Sequence, residues 1–251
     1  MQELAVKKSR MGIPLLVGMD VIHGYETIFP IPLALSCSWD MAAVEQSAAI
    51  AAKEASADGI NWTFSPMVDV TLDARWGRYS EGNGEDPYLG SLITKAMVRG
   101  YQGDYSRTDN IMACVKHFAL YGASESGRDY NTVDMSRVRM YNQYLPPYKA
   151  GAEAGAGTFM SSFNLVDGVP ATANKWLLDD LLRGEWGYDG MVVTDWGVKN
   201  DPVKEVKAGN DMKMHCGYPE DLMEGYKAGR ITRADLELCV KRILEMFLKL
   251  D

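Results

Sequence analysis

Five apolar runs of the chain end in polar or charged side chains. The clearest is "GMVVTDWG" over residues 190–197, where β-branched residues lead directly into Asp195. A single polar residue at such a position usually caps a loop. Five in succession favour a shared pocket, because the carboxyl ends of parallel strands meet at one face of a barrel. The residues at these run ends are Asp20, Asp69, Lys116 with His117, Asn164 and Asp195.

The chemistry that these side chains could perform together is attack on a sugar. Cations hold a nearby carboxylate ionised, and Lys116 or Arg78 could do this for Asp195. An ionised aspartate can act as a nucleophile on the C1 atom of a sugar. Trp196 offers a flat apolar face to a sugar ring, although packing in the core would explain it equally well. The side chains available to bind sugar hydroxyls are Asp20, Lys116 and His117.

Six short runs have the near-continuous apolar composition of strands that are buried on both faces. They cover residues 13–19, 60–68, 111–118, 157–163, 191–194 and 211–214. Helical patterns separate them, and this alternation indicates a parallel sheet. No GxGxxG motif or P-loop follows any run, so a nucleotide-binding fold loses its main support. The sequence predicts an α/β fold, a (β/α) TIM-like barrel, because a chain of about 250 residues suits one. The barrel is expected to be incomplete, since only six of its eight strands are evident.

Capping residues predict where several helices begin. An alanine-rich helix is expected over residues 40–57, and Asp86 with Pro87 has the pattern of an N-cap and a first-turn proline. Thr232 and Asp235 have the pattern of a capping box at the start of the last helix. The residues expected on the apolar face of that helix are Leu236, Val240, Ile243, Phe247 and Leu250.

Composition excludes several classes of protein. The 251 residues carry a formal net charge of −8 without a basic run, so nucleic acid is not an expected partner. No apolar stretch reaches the roughly 18–20 residues that a membrane span requires. The first ten residues are too polar for a signal peptide, which leaves cytoplasm, periplasm and secretion open. The four cysteines form no CxxC motif, which argues against a disulfide framework.

A metal site is the main chemical alternative. The sequence has three histidines and no HxH or HExxH motif, so the signal for a zinc hydrolase is poor. An acidic magnesium site has no spacing signature, but it stays open with Asp20, Asp69, Asp195 and Asp211 as ligands. A serine hydrolase is disfavoured because no GxSxG elbow is present. The sequence predicts neither a metal nor another cofactor.

Four segments together resemble one enzyme family. They read "IPLLVGMDVIHGYETIFPIPLALSCSWD", "SPMVDVTLDARWGRYSEGNGEDPYL", "CVKHFALYG" and "GMVVTDWG". In this order they are similar to the N-terminal TIM-barrel domain of glycoside hydrolase family 3, of the β-glucosidase type. The resemblance covers essentially the whole chain. It implies retaining hydrolysis, in which the enzyme holds the glycosyl group covalently before water releases it.

The resemblance also implies roles for individual residues. Asp195, in "VTDW", matches the catalytic nucleophile of the family. Asp20, in "GMDVIHG", matches the acid that binds the far hydroxyls of the glycone. The other residues that match glycone contacts are Arg78, Lys116 and His117.

Apolar residues complete the expected substrate-binding set. Met160 and Phe163, in "MSSFN", match positions that line the pocket beside the nucleophile, and Trp196 follows the nucleophile directly. Some family members have a tyrosine at position 163, whose hydroxyl reaches the nucleophile. That hydroxyl is absent here, so any tuning of the nucleophile by this group is lost.

The segment "GRYSEGNGEDP" is glycine-rich and polar, which suits a loop over a pocket. Arg78 near its start could bind the sugar, or it could pair with Glu85 or Asp86 and brace the loop, and both can hold. Glu81 is a weaker candidate that the expected site does not include.

The chain also departs from the family pattern. Retaining hydrolysis needs a second carboxyl about 5–5.5 Å from the nucleophile, and typical members carry that glutamate in a second α/β domain. No such domain is evident here, so residues 1–251 are expected to form a single barrel domain. A second domain or a homodimer would cover its open edges. The first barrel strand and one helix region are expected to be missing or shortened.

Substrate expectations follow from the resemblance. The N-acetylglucosaminidase branch uses a histidine in the loop after "KHF", and residues 119–134 contain none. The chain is expected to be a retaining β-glycosidase barrel that hydrolyses terminal non-reducing β-D-glucosyl residues through a covalent glycosyl-Asp195 intermediate. A β-xylosidase is the close alternative, since xylose lacks only the hydroxymethyl group. Alternatives of other classes are a carbohydrate-binding barrel without turnover and a metal-dependent barrel hydrolase.

Overall fold

The computed structural model describes residues 1–215 and 219–250 of the chain. Its strands within these ranges are β1 (Gly18–Met19), β2 (Trp62–Thr63), β3 (Cys114–Phe118), β4 (Thr158–Ser161), β5 (Leu165–Val166), β6 (Val169–Pro170) and β7 (Met191–Thr194). Its α-helices are α1 (Gln2–Lys8), α2 (Pro32–Ser36), α3 (Met41–Ala57), α4 (Pro87–Gln102), α5 (Arg137–Arg139), α6 (Pro146–Glu153), α7 (Pro202–Ala208), α8 (Pro219–Lys227) and α9 (Arg233–Lys249). Two π-helices cover Met140–Tyr144 and Trp176–Glu185. Short 3-10 turns cover Tyr79–Glu81, Tyr121–Ala123, Glu125–Gly127 and Ala171–Ala173.

The parallel strands lie side by side in chain order. β1 pairs with β2, and β3, β4 and β7 form a parallel sheet. Isolated parallel bridges join Trp62 to Met112, just before β3, and Val193 to Met212. All six predicted strand positions therefore belong to one parallel array, although the regular part of most is shorter than predicted. The remaining pair, β5 and β6, forms a small antiparallel hairpin beyond β4.

The predicted helix starts are confirmed. Asp40 accepts hydrogen bonds from the N–H groups at the start of α3, and Asp86 does the same for α4, with Pro87 in the first turn. Both halves of the predicted capping box are present at α9, where Thr232 and Asp235 bond to each other's backbone. Capping of this kind satisfies N–H groups that have no partner inside the helix.

Side chains alternate between the two faces of a strand, and both faces of the parallel array carry apolar clusters. Val115, Phe159 and Val192 point to the face that the helices cover. The helix α6 approaches this face closely, and a Cβ atom on Gly151 would lie 2.7 Å from the Val115 side chain. Cys114 and Met160 belong to the second face, as do the other members of its apolar cluster, namely Trp62, Phe64, Met112, Met191, Val193, Met214 and Met246.

The last helix, α9, packs against this second face. Met246 is buried there, with Ile243 and Leu250 beside it. The predicted apolar face of α9 was partly wrong, because Val240 is 53% exposed whereas Cys239 is buried. The helix turns its 239, 243, 246 and 250 positions towards the sheet, and these lie on one side at steps of three and four residues.

The parallel array does not close into a ring among the described residues. The pairings run from β1 to the Met212 bridge without a further strand between these two edges. Leu16, next to β1, and Met214, after the bridge, share the apolar cluster that contains Met246. The structure is therefore a parallel α/β fold consistent with a TIM-like barrel, in which α9 connects the two edges. No helix within the described ranges is long and apolar enough to cross a membrane.

Candidate active site

Asp195 follows β7 at its carboxyl end and is 4% exposed. It has the same strand parity as Met191 and Val193, whose side chains pack on the second face of the array. One carboxylate oxygen, Oδ1, accepts a 2.6 Å hydrogen bond from the N–H of Trp196. The buried carboxylate of Asp195 therefore lies at the carboxyl edge of the strands, where parallel α/β barrels place their active sites.

Lys116 lies in the middle of β3 and is almost fully buried. Its Nζ donates a 2.6 Å hydrogen bond to Oδ1 of Asp20, a side chain that is 46% exposed. The structure thus pairs two of the expected glycone contacts with each other. An ion pair from Lys116 to Asp195 is absent from the described residues, so the expected neutralising contact is made with Asp20 instead.

His117 connects Asp195 to a second buried carboxylate. Its Nε2 lies 3.5 Å from Oδ2 of Asp195, and its Nδ1 lies 2.9 Å from Oδ2 of Asp69. The pairing of β3 with β4 shifts register between Lys116 and Phe118. Strict alternation would point residues 116 and 117 to opposite faces, and this irregularity allows both to reach the site. The peptide bond between them is cis.

Asp69 is held by three donors. Its Oδ2 accepts hydrogen bonds from the backbone N–H and Nδ1 of His117, and its Oδ1 accepts one of 2.5 Å from the Tyr148 hydroxyl. Burial raises the pKa of Asp69, but the hydrogen bonds from His117 and Tyr148 outweigh it, so the net pKa is lowered. Burial also lowers the pKa of His117, against the opposing effect of Asp69. The pair is therefore a carboxylate and a neutral imidazole at neutral pH.

Arg78 makes a bidentate ion pair with Glu81. Its Nε and Nη2 donate hydrogen bonds of 2.8 and 2.9 Å to the two Glu81 oxygens. The alternative in which Arg78 pairs with Glu85 or Asp86 is wrong in its partner, because Nε and Nη2 of Arg78 bond to Glu81 and Asp86 caps α4. Burial raises the pKa of Glu81, but the Arg78 hydrogen bonds outweigh it and the net pKa is lowered. Arg78 also lies 5.7 Å from the ring centroid of Tyr121.

Aromatic rings surround the polar groups. Phe163 packs between Tyr121 and Tyr130, with ring centroids 5.9 and 5.1 Å away. Trp196 packs edge-on against Phe64 at 5.3 Å and is still 46% exposed. Part of its ring surface is therefore free for a ligand, which favours the sugar-stacking interpretation over plain core packing.

Two residues from the sequence analysis lie away from this group or beneath it. Met160 is 1% exposed and packs within the apolar cluster of the second face, so it supports the site rather than opening to it. Asn164 is fully buried, and its amide donates to the backbone carbonyls of Ala119 and Leu165, which makes it a loop brace.

The four acids proposed as magnesium ligands do not form one site. Asp211 lies level with Val192, near the amino end of β7, and two guanidinium groups bind it. Asp69 is occupied by His117 and Tyr148. Within residues 1–215 and 219–250, no cluster of three or more His, Cys, Asp or Glu side chains could hold a metal ion.

Sequence reasoning expected Asp69 at the shared pocket without a role in substrate binding, and it left Tyr148 and Glu81 out of the expected site. Asp69 carried a signal, since it ends an apolar run as Asp195 does. Tyr148 carried none, because nothing in its local sequence distinguishes it from an ordinary core residue. Glu81 was named but set aside, and its contact with Arg78 depends on the turn Tyr79–Glu81.

Asp195 is thus a buried carboxylate at the carboxyl edge of the parallel strands, where barrel enzymes place their sites, with His117 beside it. The chain matches the family model "Glycosyl hydrolase family 3 N terminal domain" over residues 1–246, and it belongs to that family.

Similar proteins include enzymes of two named activities. The chain is 44% identical to the periplasmic beta-glucosidase of Salmonella typhimurium, over 98% of this chain and 34% of that protein. It is 36% identical to a beta-xylosidase of Formosa agariphila, over 98% of this chain and 35% of that one. The chain thus spans about a third of the length of these relatives.

Solved structures with the same fold include a beta-glucosidase from Listeria innocua in complex with glucose. The TM-score is 0.96 and the identity 46%, over 99% of this chain and 37% of that chain. A mutant of the same enzyme in complex with laminaribiose also gives a TM-score of 0.96, at 45% identity over 99% of this chain and 37% of that one.

Proposed function

We propose that this chain carries the nucleophile-bearing site of a retaining β-glycosidase that hydrolyses terminal non-reducing β-D-glucosyl residues. The observation that carries the proposal is Asp195, a buried carboxylate with one short hydrogen bond and a histidine nitrogen 3.5 Å away. The beta-glucosidases among its relatives support the assignment. The substrate remains a proposal because the chain spans about a third of those proteins.

In the proposed reaction, one oxygen of Asp195 attacks C1 of the sugar. The bond from C1 to the leaving-group oxygen breaks as the bond from C1 to Asp195 forms, giving a glycosyl-Asp195 ester, and the acid/base carboxyl protonates the departing oxygen. Water then attacks the same C1 atom, gives its proton to the acid/base carboxyl and releases the Asp195 carboxylate.

We propose that the acid/base carboxyl is supplied by protein outside these residues. It must stand about 5–5.5 Å from the nucleophile in a retaining enzyme, and Glu81 is already paired with Arg78. Residues 1–251 would then be one barrel domain, with its first strand and one helix region missing or shortened. A second domain or a homodimer would cover the open edges, and the greater length of the relatives supports the second domain.

The proposed glycone contacts are the polar groups around Asp195. Asp20 is the most exposed of them and accepts hydroxyl donors, while Lys116 donates. Trp196 and Phe163 supply apolar surface for the sugar ring. Arg78, already paired with Glu81, would reach the sugar with its remaining N–H donors.

A β-xyloside is the second candidate substrate, and the Formosa relative supports it. The two sugars differ by one hydroxymethyl group, which a pocket discriminates by only about 1–3 kcal/mol when the contact is apolar.

Covalent trapping tests the proposal. The chain is incubated with an activated 2-deoxy-2-fluoro-β-glucoside, and intact mass followed by peptide mapping locates any adduct. We expect one adduct on the peptide that contains Asp195, because a good leaving group needs little acid assistance. The xyloside analogue is run in parallel and separates the two substrates.

Two controls complete this experiment. Asp195→Asn should give no adduct, and an adduct elsewhere in the wild-type chain would overturn the assignment of the nucleophile. A chelator should leave trapping unchanged, whereas loss of trapping in its presence would favour the metal-dependent alternative. Reversible sugar binding without any adduct would favour the non-catalytic carbohydrate-binding barrel.

A further inference from the structure

Asp69 is a buried carboxylate that bonds to His117 beside Asp195, and the family resemblance assigned it no role. The side chains of Asp69 and His117 are 0% and 1% exposed. One Asp69 oxygen accepts from both the backbone N–H and the ring Nδ1 of His117, each at 2.9 Å. Two bonds from one residue to one oxygen fix the orientation of the ring as well as its position.

Tyr148 holds Asp69 from the other side. Its hydroxyl donates to Oδ1 of Asp69 at 2.5 Å and lies 2.9 Å from the carbonyl oxygen of His117. Tyr148 belongs to α6, on the helix-covered side of the sheet, and it is 1% exposed. The ring of His117 also meets the edge of Tyr121, with centroids 5.4 Å apart. The imidazole therefore has little freedom to turn.

The hydrogen-bond chemistry decides which ring nitrogen carries the proton. An ionised carboxylate only accepts hydrogen bonds, so Nδ1 must be the donor towards Asp69. A neutral imidazole has a single N–H, which leaves Nε2 with a lone pair. The lowered pKa of Asp69, through hydrogen bonds that outweigh burial, and the lowered pKa of His117, through burial, are consistent with this state.

The lone pair of Nε2 faces the site. Nε2 is buried, has no hydrogen-bond partner among the described residues and lies 3.5 Å from Oδ2 of Asp195. Two acceptors at that distance do not bond to each other. A sugar hydroxyl that enters beside Asp195 can donate its proton to Nε2, while Lys116 nearby is a donor to sugar oxygens.

We propose that Asp69 and Tyr148 are positioning residues that hold the His117 ring with its proton on Nδ1, so that Nε2 accepts a hydrogen bond from a sugar hydroxyl beside Asp195. The role of the sugar rests on the proposed function, whereas the position of the proton does not. A sugar should therefore bind best when it has a hydroxyl donor opposite Nε2 of His117. Removal of the Tyr148 hydroxyl should slow glycosylation, because the His117 ring is then held less firmly.

The first test reads the proton directly. Nitrogen-15 NMR of histidine-labelled chain distinguishes a protonated from an unprotonated ring nitrogen. The chain has three histidines, and the His117 signals are assigned by their absence in His117→Gln. We expect Nδ1 to carry the proton in the wild-type chain at neutral pH. A proton on Nε2 would overturn the inference, whether or not the chain is an enzyme.

The second test measures glycosylation with all sugar hydroxyls present. Mixing the chain with 2,4-dinitrophenyl β-D-glucoside releases dinitrophenolate in a burst as C1 bonds to Asp195, and this leaving group departs without a proton. We expect Tyr148→Phe to slow the burst about fivefold, the value of one hydrogen bond, while the NMR shows a disturbed His117 ring.

Tyr188→Phe is the matched control, because Tyr188 is also buried and its hydroxyl bonds to backbone carbonyls remote from His117. It removes a buried phenol hydroxyl, so it should lower stability comparably but change the burst rate less than twofold. Equal rates in the two variants would overturn the positioning role of Tyr148. A wild-type chain that shows no burst and no trapping would refute the proposed function, and the NMR result would still decide the proton position.

Discussion

Two buried aspartates on neighbouring strands have opposite surroundings. Asp211 accepts hydrogen bonds from the N–H of Val192, from Arg183 at 2.7 Å and from Arg242 at 3.0 Å. Asp195, at the other end of β7, accepts one from the N–H of Trp196 and has a histidine nitrogen 3.5 Å away. A buried carboxylate with a full set of donors holds structure together. One that lacks donors has capacity left for a ligand.

The same contrast applies to the surrounding cations. Arg183 and Arg242 both point at Asp211, and Arg183 also donates to the carbonyls of Gly190 and Gly209. Lys116, near Asp195, donates its hydrogen bond to Asp20. The Asp20 side chain is 46% exposed, so a sugar hydroxyl can replace Lys116 as its donor. Burial alone therefore does not separate the proposed nucleophile from a structural acid, whereas the number of donors around each carboxylate does.

The largest expected effect comes from Asp195→Asn. The amide cannot form the glycosyl ester, so trapping by the activated fluoroglucoside should fall at least about 10⁴-fold. The free energy of unfolding should change by less than about 1 kcal/mol, because few protein contacts are lost. Mass spectrometry and urea unfolding measure the two quantities. Trapping that persists in this variant would contradict the assignment of Asp195 as the nucleophile.

Asp211→Asn should show the reverse pattern. It leaves two guanidinium groups without their shared carboxylate, and breaking a buried ion pair costs about 3–5 kcal/mol. Urea unfolding should show this loss, while the folded fraction should trap the fluoroglucoside at the wild-type rate. A stability close to wild type would mean that the two aspartates are not as different as their contacts indicate.

Lys116→Met is expected to have an intermediate effect on function. It removes a charged hydrogen bond worth about 1.5–3 kcal/mol to a bound sugar, so trapping should slow by roughly 10- to 100-fold. Asp20, the partner left behind, is half exposed and can be hydrated, so stability should change little. Lys95→Met removes an exposed ion pair with Glu153 and is the control, with no expected change in trapping. Equal trapping by both variants would place the glycone elsewhere.

The smallest expected effect is a pH dependence of stability at the Asp69 and His117 pair. The pKa of His117 is lowered by burial, so below about pH 6.5 the unfolded chain binds a proton that the folded chain does not. Stability is therefore lost as the pH falls from neutrality, by about 1.4 kcal/mol for each tenfold difference in proton affinity between the folded and unfolded chains. The lowered pKa of Asp69 adds a further loss below its unfolded value of 3.8.

Urea unfolding at pH 7.5 and pH 5.5 measures the histidine part of this loss. His117→Gln should flatten the dependence between these two values. Burial raises the pKa of Asp211, so any contribution from that cluster has the opposite sign, because a carboxyl with a raised pKa in the folded chain gains stability as the pH falls. An unchanged slope in His117→Gln would contradict the buried neutral histidine.

The sequence predicted the parallel array and the position of Asp195 because strand patterns and caps are local. Asp40, Asp86 and Thr232 cap their helices through neighbours two or three residues away. The contacts of Asp69 depend instead on residues 48 and 79 positions distant, His117 and Tyr148. No local pattern encodes such a meeting, and the face of α9 was misjudged for the same reason, since the sheet decides which side is buried.

The packing of α9 has a consequence for synthesis. Leu16 and Met246 share one apolar cluster across nearly the full length of the chain. Contacts of such high sequence separation form late, and surface that awaits them is prone to aggregation. On the ribosome, the second face of the sheet therefore stays uncovered until residues 243–250 have emerged. Chains stopped before residue 243 should therefore depend more on chaperones to stay soluble than chains that include residues 243–250.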